Sequence, residues 1–284
     1  MWRHTIRKSL PPIFSSLPHF RGKGRIVLLL DRILTDLNAP DSYLTVGLVN
    51  HDTRLRLDLR LYGQKFAFYY RELEPAFIAA ARKYYRPGLF LDVGGSIGLW
   101  AVALGHQAKQ RGGRVLTVEP IPHHRQRLLE NLRLNHLEDV VEIIPVALGE
   151  RDGIVGLYTN DLGAADNAYI ASDGPVQVPL TTVDRLVHER RCEPITFMKI
   201  DAEGYDTKVI EGAEQTIRQW RPVIAAEFLR ERMVINGMAI DPCWNFLVRD
   251  LCYNCFRFEG KRLVPIDEPG EWENLLFLPH DFPR

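Results

Sequence analysis

The sequence predicts an α/β protein built on a mostly parallel sheet with helices on both faces. Two observations carry this expectation. From residue 89 onward, short apolar runs alternate with helix-length segments, which is the pattern of strands joined by helical crossovers. The first apolar run also passes straight into a glycine-rich turn and then a helix. The chain has 284 residues, 46% of them hydrophobic and 25% charged, so it has ample material for one large core.

Residues 1–40 give the weakest pattern. The first 25 hold Arg3, Arg7, Lys8, Arg21, Lys23 and Arg25, no acid, and Pro11, Pro12 and Pro18. They read as a loosely ordered basic extension, able to touch anionic lipid or a partner. The apolar run 26–30 is too short for a signal-peptide core, and no stretch approaches the roughly 18–20 apolar residues of a membrane span. Leu55, Leu57, Leu59 and Leu61 then alternate with Arg54, Arg56, Asp58 and Arg60. That period of two predicts a half-buried strand of an antiparallel pair, turning at Gly63-Gln64 and returning along 66–69. Residues 72–85 read as a helix, ended by Pro87-Gly88.

The alternating region follows. Strands are expected at 89–93, 114–118, 141–146, 195–200 and 223–227, with helices at 97–110, 122–135, 182–190 and 205–219. An excursion intervenes, made of strands at 154–158 and 176–180 around a polar loop, 160–174, which is a candidate lid over an acceptor. A helical region at 242–251 and strands at 254–258 and 275–278 close the chain. The expected division is a basic extension, 1–42, and a catalytic domain, 43–284, in which 43–70 is the strand pair and 71–284 the core.

Lys plus Arg number 36 and Asp plus Glu 36, so net charge is zero, which argues against a protein that coats nucleic acid. Cys192, Cys243, Cys252 and Cys255 have no zinc-type spacing and read as structural thiols of a reducing, cytoplasmic compartment.

In an open α/β sheet, ligands bind at the carboxyl ends of the strands. The first strand ends Asp92-Val93-Gly94-Gly95-Ser96-Ile97-Gly98. A dinucleotide fingerprint aligned on Gly95 and Gly98 puts Val93 where its first glycine belongs, so the NAD pattern is broken. Asp92, Gly94 and Gly98 fit D-x-G-x-x-x-G instead, which resembles the first motif of S-adenosylmethionine (SAM) methyltransferases. An acid there would repel a pyrophosphate but suits a cationic cofactor. Gly94 admits the ligand to the backbone, Gly98 lets the helix pack, and Ser96 offers a hydroxyl and an N–H. Glu119, closing the second strand, suits ribose hydroxyls.

The fourth strand runs Phe197-Met198-Lys199-Ile200-Asp201-Ala202-Glu203-Gly204-Tyr205-Asp206 and leads to Val209-Ile210-Glu211-Gly212-Ala213. This segment resembles the FkbM-type SAM-dependent methyltransferases, whose hallmark is Lys-Ile-Asp-x-Glu-Gly followed by a helix ending in Gly-Ala. The resemblance also takes in the glycine loop, Glu119-Pro120, Asn131 to Asn135, Val146-Ala147-Leu148-Gly149, Thr182-Val183-Asp184-Arg185-Leu186 and residues 274–279. The chain departs from it at Gly95-Ser96, where the family commonly has Ala-Asn, and at Asp206, where it commonly has Glu. The resemblance covers roughly residues 70–279 and implies a Rossmann-like class I methyltransferase sheet, to which the preceding residues add an N-terminal β/helical extension. It also implies methyl transfer from SAM, usually to a hydroxyl of a small natural product or glycan.

Such a transfer needs positioning and a base for the hydroxyl proton. Asp201 is the first candidate and Glu203 the second, with Glu227 a third carboxylate on the same rim. Asp201 and Glu227 could alternatively hold Mg²⁺, and Asp201 and Glu203 could simply cap the following helix. His123-His124 are expected to face solvent or the adenosine rim. The competing functions are a nicotinamide-dependent oxidoreductase and an inactive SAM-fold binding module.

Overall fold

A computed structural model of the chain describes residues 2–18, 20–34, 43–49, 52–158, 169–170, 174–271 and 274–282. The chain divides into two compact units, the first covering residues 1–74 and the second starting at Pro75.

The first unit contains α1 (Trp2–Ser16), α2 (Lys23–Leu34), β1 (Tyr43–Gly47), β2 (Arg54–Asp58) and α3 (Tyr62–Tyr70). The two leading helices correct the expectation of a loosely ordered extension. Pro11 and Pro12 lie inside α1, where each removes a backbone donor, so the sequence alone argues against a helix. Tertiary contacts compensate. Buried Asp31 of α2 pairs with Arg7 of α1 and, at 2.9 Å, with Lys65 of α3, and it accepts the Tyr69 hydroxyl at 2.9 Å. The antiparallel pair also has a different partner from the expected one. β2 pairs with β1, setting Leu57 opposite Leu44 and Leu55 opposite Val46, while 62–70 is helical. Gln64, buried on that helix, accepts the Asp58 N–H at 2.8 Å, which ends β2 and starts the helix on it.

The second unit opens with α4 (Pro75–Tyr84), β3 (Leu89–Val93), α5 (Leu99–Arg111), β4 (Arg114–Val118), α6 (Pro122–Leu134) and β5 (Val141–Ile144). β6 (Ala147–Leu148), β7 (Gly153–Tyr158), β8 (Tyr169–Ile170) and β9 (Val176–Thr181) form a small side sheet, where the sequence pointed to an excursion. Next come α7 (Val183–Glu189), β10 (Ile195–Ile200), α8 (Asp206–Glu211), α9 (Glu214–Trp220), β11 (Val223–Glu227), α10 (Arg230–Ile235) and α11 (Asp241–Trp244). The last of these runs on as a π-helical segment, Asn245–Asp250, before β12 (Tyr253–Glu259), β13 (Arg262–Ile266) and β14 (Asn274–Pro279).

Among the described residues the main sheet has eight strands, in the order β13-β12-β14-β11-β10-β3-β4-β5. β3, β4, β5, β10 and β11 run parallel, and β14, β12 and β13 add an antiparallel flank. β3 is apolar or buried at every position, as a strand covered on both faces must be. The strand order reverses between β3 and β10, so their crossovers leave in opposite directions and a crevice opens above that pair.

One helix of the expected set is split in two. Residues 206–220 form α8 and α9 with Gly212 and Ala213 between them. Asp184 of α7 causes the break: its carboxylate accepts the N–H of Gln215 and of Thr216 and the Thr216 hydroxyl, at 3.0, 2.8 and 2.6 Å. It caps α9 rather than its own helix. A Cβ on Gly212 would stand 1.9 Å from the Gly149 carbonyl oxygen, so the joint requires glycine. Among the described residues no helix is long and apolar enough to cross a membrane.

Replacing Asp184 by Ala should orphan two helix-start donors and lower stability by about 1–2 kcal/mol. Urea denaturation checks this, and an unchanged midpoint would show that α9 does not depend on the cap.

Candidate functional site

The site is built from the loops that leave β3, β4 and β10. After β3 the chain turns at Gly94 (φ 78°), whose N–H donates to the Val118 carbonyl at 2.9 Å. A Cβ at Gly94 would lie 1.9 Å from the backbone oxygen of Asp201, so the two loops touch at a point only hydrogen can fill. Gly98 starts α5 and packs against Leu128 of α6. No side chain caps α5, so its first N–H groups face the loop with the positive end of the helix dipole. Buried Asn131 of α6 holds the loop from behind, donating to the Ile97 carbonyl at 2.8 Å.

Asp92 lies one residue below the tip of β3, fully buried, with Thr117 of β4 and Lys199 of β10 in register on either side. The Thr117 hydroxyl donates to its Oδ2 at 2.9 Å, while Oδ1 has no hydrogen-bond partner. Burial is the main cause that pushes its carboxyl up to about 6, against the pull of the Lys199 ammonium. Asp92 therefore acts on the crevice by charge, from beneath it.

Glu119 directly follows β4 and bridges to the glycine loop. Its Oε2 accepts the Ser96 N–H and its Oε1 the Ile121 N–H, both at 2.8 Å. Ser96 thus presents its N–H to Glu119, and the two predicted ribose and loop residues form one unit. His124 is buried beside them, its Nδ1 3.5 Å from Glu119 Oε1, so of the two expected places, solvent or the rim beside Glu119, it does not take the solvent one. His123 stacks edge-on against it, and burial lowers its pKa. The signal for His124 was its place in the first turn after Glu119-Pro120-Ile121.

Asp201 follows β10. Its Oδ2 is 2.8 Å from the Nζ of buried Lys199, which also reaches the Gly94 carbonyl at 3.4 Å. Lys199 thereby ties the tip of β10 to the glycine loop. Glu203 pairs with Arg232 of α10 at 2.8 Å. Burial first, then the nearby Asp201 charge, pushes the Glu203 carboxyl up to about 7. Neither Ser96 (φ 46°) nor Glu203 (φ 53°) is glycine, yet both are left-handed. Such strain gathers where a loop is shaped for a task.

Asp206 is a residue whose importance the sequence did not reveal. Fully buried, it accepts the Ala202 N–H at 2.7 Å and the Gly204 N–H at 3.0 Å, and so fixes the 201–205 loop from inside. Burial and the Asp201 charge push its carboxyl up to about 7.

Glu203, in the loop after β10, and Glu227, the last residue of β11, open onto a cleft of about 440 Å³ that Arg230, Glu231, Arg232 and Glu271 also line. Among the described residues no group of three His, Cys, Asp or Glu side chains is placed to hold a metal ion. The 160–174 loop lies outside the described residues, apart from the backbone of 169–170 and Gly174. All four cysteines are free thiols, two of them, Cys243 and Cys255, buried.

The sequence profile of the methyltransferase FkbM domain matches residues 92–251, more than half of the chain. No curated protein matches. Among solved structures, the chain is similar to methyltransferase FkbM from Methylobacillus flagellatus, with 17% identity over 76% of this chain and a TM-score of 0.46. It spans 54% of the length of that protein. It is also similar to the O-methyltransferase from Bacillus cereus in complex with SAH, with 14% identity, coverage of 96% of this chain and 97% of that one, and a TM-score of 0.43.

Asp92, Glu203 and Asp206 hold protons more tightly in the folded chain than in the unfolded one. The folded state then binds more protons between about pH 4 and 7, so their contribution to stability is full at low pH and is lost as pH rises through about 6–7. Asp92→Asn, which keeps an acceptor for the Thr117 hydroxyl, should flatten part of that fall. Urea midpoints for both proteins at pH 5 and pH 8 measure it, and parallel profiles would show that Asp92 does not titrate in this window.

Proposed function

The chain belongs to the FkbM methyltransferase family, and we propose that it moves the methyl group of SAM to a hydroxyl oxygen of a small-molecule or glycan acceptor. The observation that carries this reading is the junction at the strand-order reversal, where Gly94, Lys199 and Asp201 meet. The residues there fit SAM. Gly94 lets the loop after β3 close on the backbone of Asp201, α5 offers an uncapped N-terminus to a carboxylate, and buried Asp92 supplies a negative charge beneath a cationic ligand. Gly98 shapes the start of α5, and Ser96 and Glu119 close the opposite side, with Glu119 the group suited to a ribose.

SAM when bound supplies an electrophilic methyl carbon. The protein's own work is to align the acceptor oxygen with it and to take the hydroxyl proton. Asp201 is the base in this reading, held in place by the Lys199 ammonium. Glu203, with its carboxyl near 7, is the second carboxylate and receives or relays that proton. The polar cleft beside them, lined by four carboxylates and two guanidinium groups, suits a hydroxyl-rich acceptor better than an apolar one. A divalent cation at Asp201 would sit beside the Lys199 ammonium, which repels it, so no step in this reading uses one. Free thiols throughout fit a reducing compartment, the cytoplasm.

Calorimetry with SAM and with NADPH tests the cofactor, and SAM should bind while NADPH gives no heat. Absence of SAM binding at millimolar ligand would overturn the proposal. Asp201→Asn should lower turnover by about 10²-fold or more while leaving SAM affinity unchanged. Near-normal turnover in that variant would move the base elsewhere, with Glu203→Gln the next substitution to measure.

A further inference from the structure

The basic N-terminal segment is the feature that methyl transfer leaves unused. In the structure it becomes a helical pair that buries Phe14, Val27 and Leu34 together with charged groups and leaves much of its apolar surface outside. Arg7, Lys23 and Asp31 are buried, whereas Ile6, Ile13, Leu17, Ile26, Leu29 and Ile33 are exposed. Ile26, Leu29 and Ile33 follow i, i+3, i+7 spacing, so they form one outward stripe on α2, and Leu29 is 60% exposed. Phe20, in the connection, is exposed as well.

Charge separates in the same way. Lys8, Arg21, Arg25 and Arg32 stand exposed among these apolar side chains. Asp31 is the one acid in residues 1–34, and it is consumed inside by Arg7, Lys65 and Tyr69. The described outer surface of the pair is therefore apolar and cationic, with no carboxylate.

We propose that α1 and α2 form an interfacial site for an anionic lipid bilayer, the helices lying in the headgroup plane with Leu29 and Ile33 entering the acyl boundary. Helices of 15 and 12 residues are too short for the roughly 20 residues of a span but suit an in-plane position. Charge complementarity selects this occupant. A second copy of the same face would set cation against cation, whereas anionic headgroups neutralise them while the apolar stripe is buried. The buried Asp31 network holds the stripe outward.

Sedimentation of the full chain with vesicles tests this, using phosphatidylcholine alone and phosphatidylcholine with one third phosphatidylglycerol. The chain should pellet with the anionic vesicles only, and added salt should release it. Arg25→Gln and Arg32→Gln should each weaken binding about fivefold. Leu29→Asp with Ile33→Asp should abolish it, with thermal unfolding unchanged because these positions are exposed. No binding to anionic vesicles by the intact chain would overturn the proposal. So would binding that the substitutions leave intact, or light scattering that shows a dimer dissolved by the Leu29 and Ile33 substitutions in a chain that ignores vesicles.

Discussion

The structure of the second unit turns on one contact, the approach of the Asp201 backbone oxygen to the α-carbon of Gly94. Two parallel strands whose crossovers diverge must part at their ends, and this contact sets how far. The loops after β3 and β10 are pressed together at their base and spread above it. Lys199 reinforces the closure by reaching both Asp201 and the Gly94 carbonyl from within the sheet. Because the lysine is buried, its charge needs these partners, and because it has them, the two loops cannot drift independently.

Around that junction lies a frame of polar groups whose work is architectural. Asp206 gathers the loop after β10, Asp184 starts α9, and Asn131 steadies the glycine loop. The Tyr205 hydroxyl reaches Glu150 at 2.9 Å, and Gly149 packs under the Tyr205 ring. Several residues shared with the family pattern therefore make bonds that place other bonds. The carboxylates that line the open cleft, Glu203, Glu227, Glu231 and Glu271, stand apart from this frame.

The parallel core was legible in the sequence because its signals are local. The strand at 223–227 follows from five residues in a row, and the Asp92-to-Gly98 spacing reports a turn that those residues make themselves. Features set by distant partners were not legible. The break at Gly212 depends on Asp184, and the helix at 62–70 depends on the Gln64 side chain reaching Asp58, against the strand-like look of Phe66-Ala67-Phe68-Tyr69. Helix α1 persists with two interior prolines because a buried ion network outweighs their cost. In the site, Asp92 was recognised, but its depth could not be, since burial is decided by the strands on either side. The burial of His124 and of Asp206 was not legible for the same reason.

The order of the sheet also bears on how the protein behaves in a crowded cell. An open sheet has two edges, and each is a template for another chain. At one edge, β13 carries Pro265, which has no N–H to offer, along with the exposed charge of Arg262. At the other, β5 is only four residues long, and its Glu142 is engaged by Arg190 and Arg114. Neither margin offers a long, uncharged row of backbone donors and acceptors. The main sheet is thus finished at both ends, and neither of its margins invites growth strand by strand.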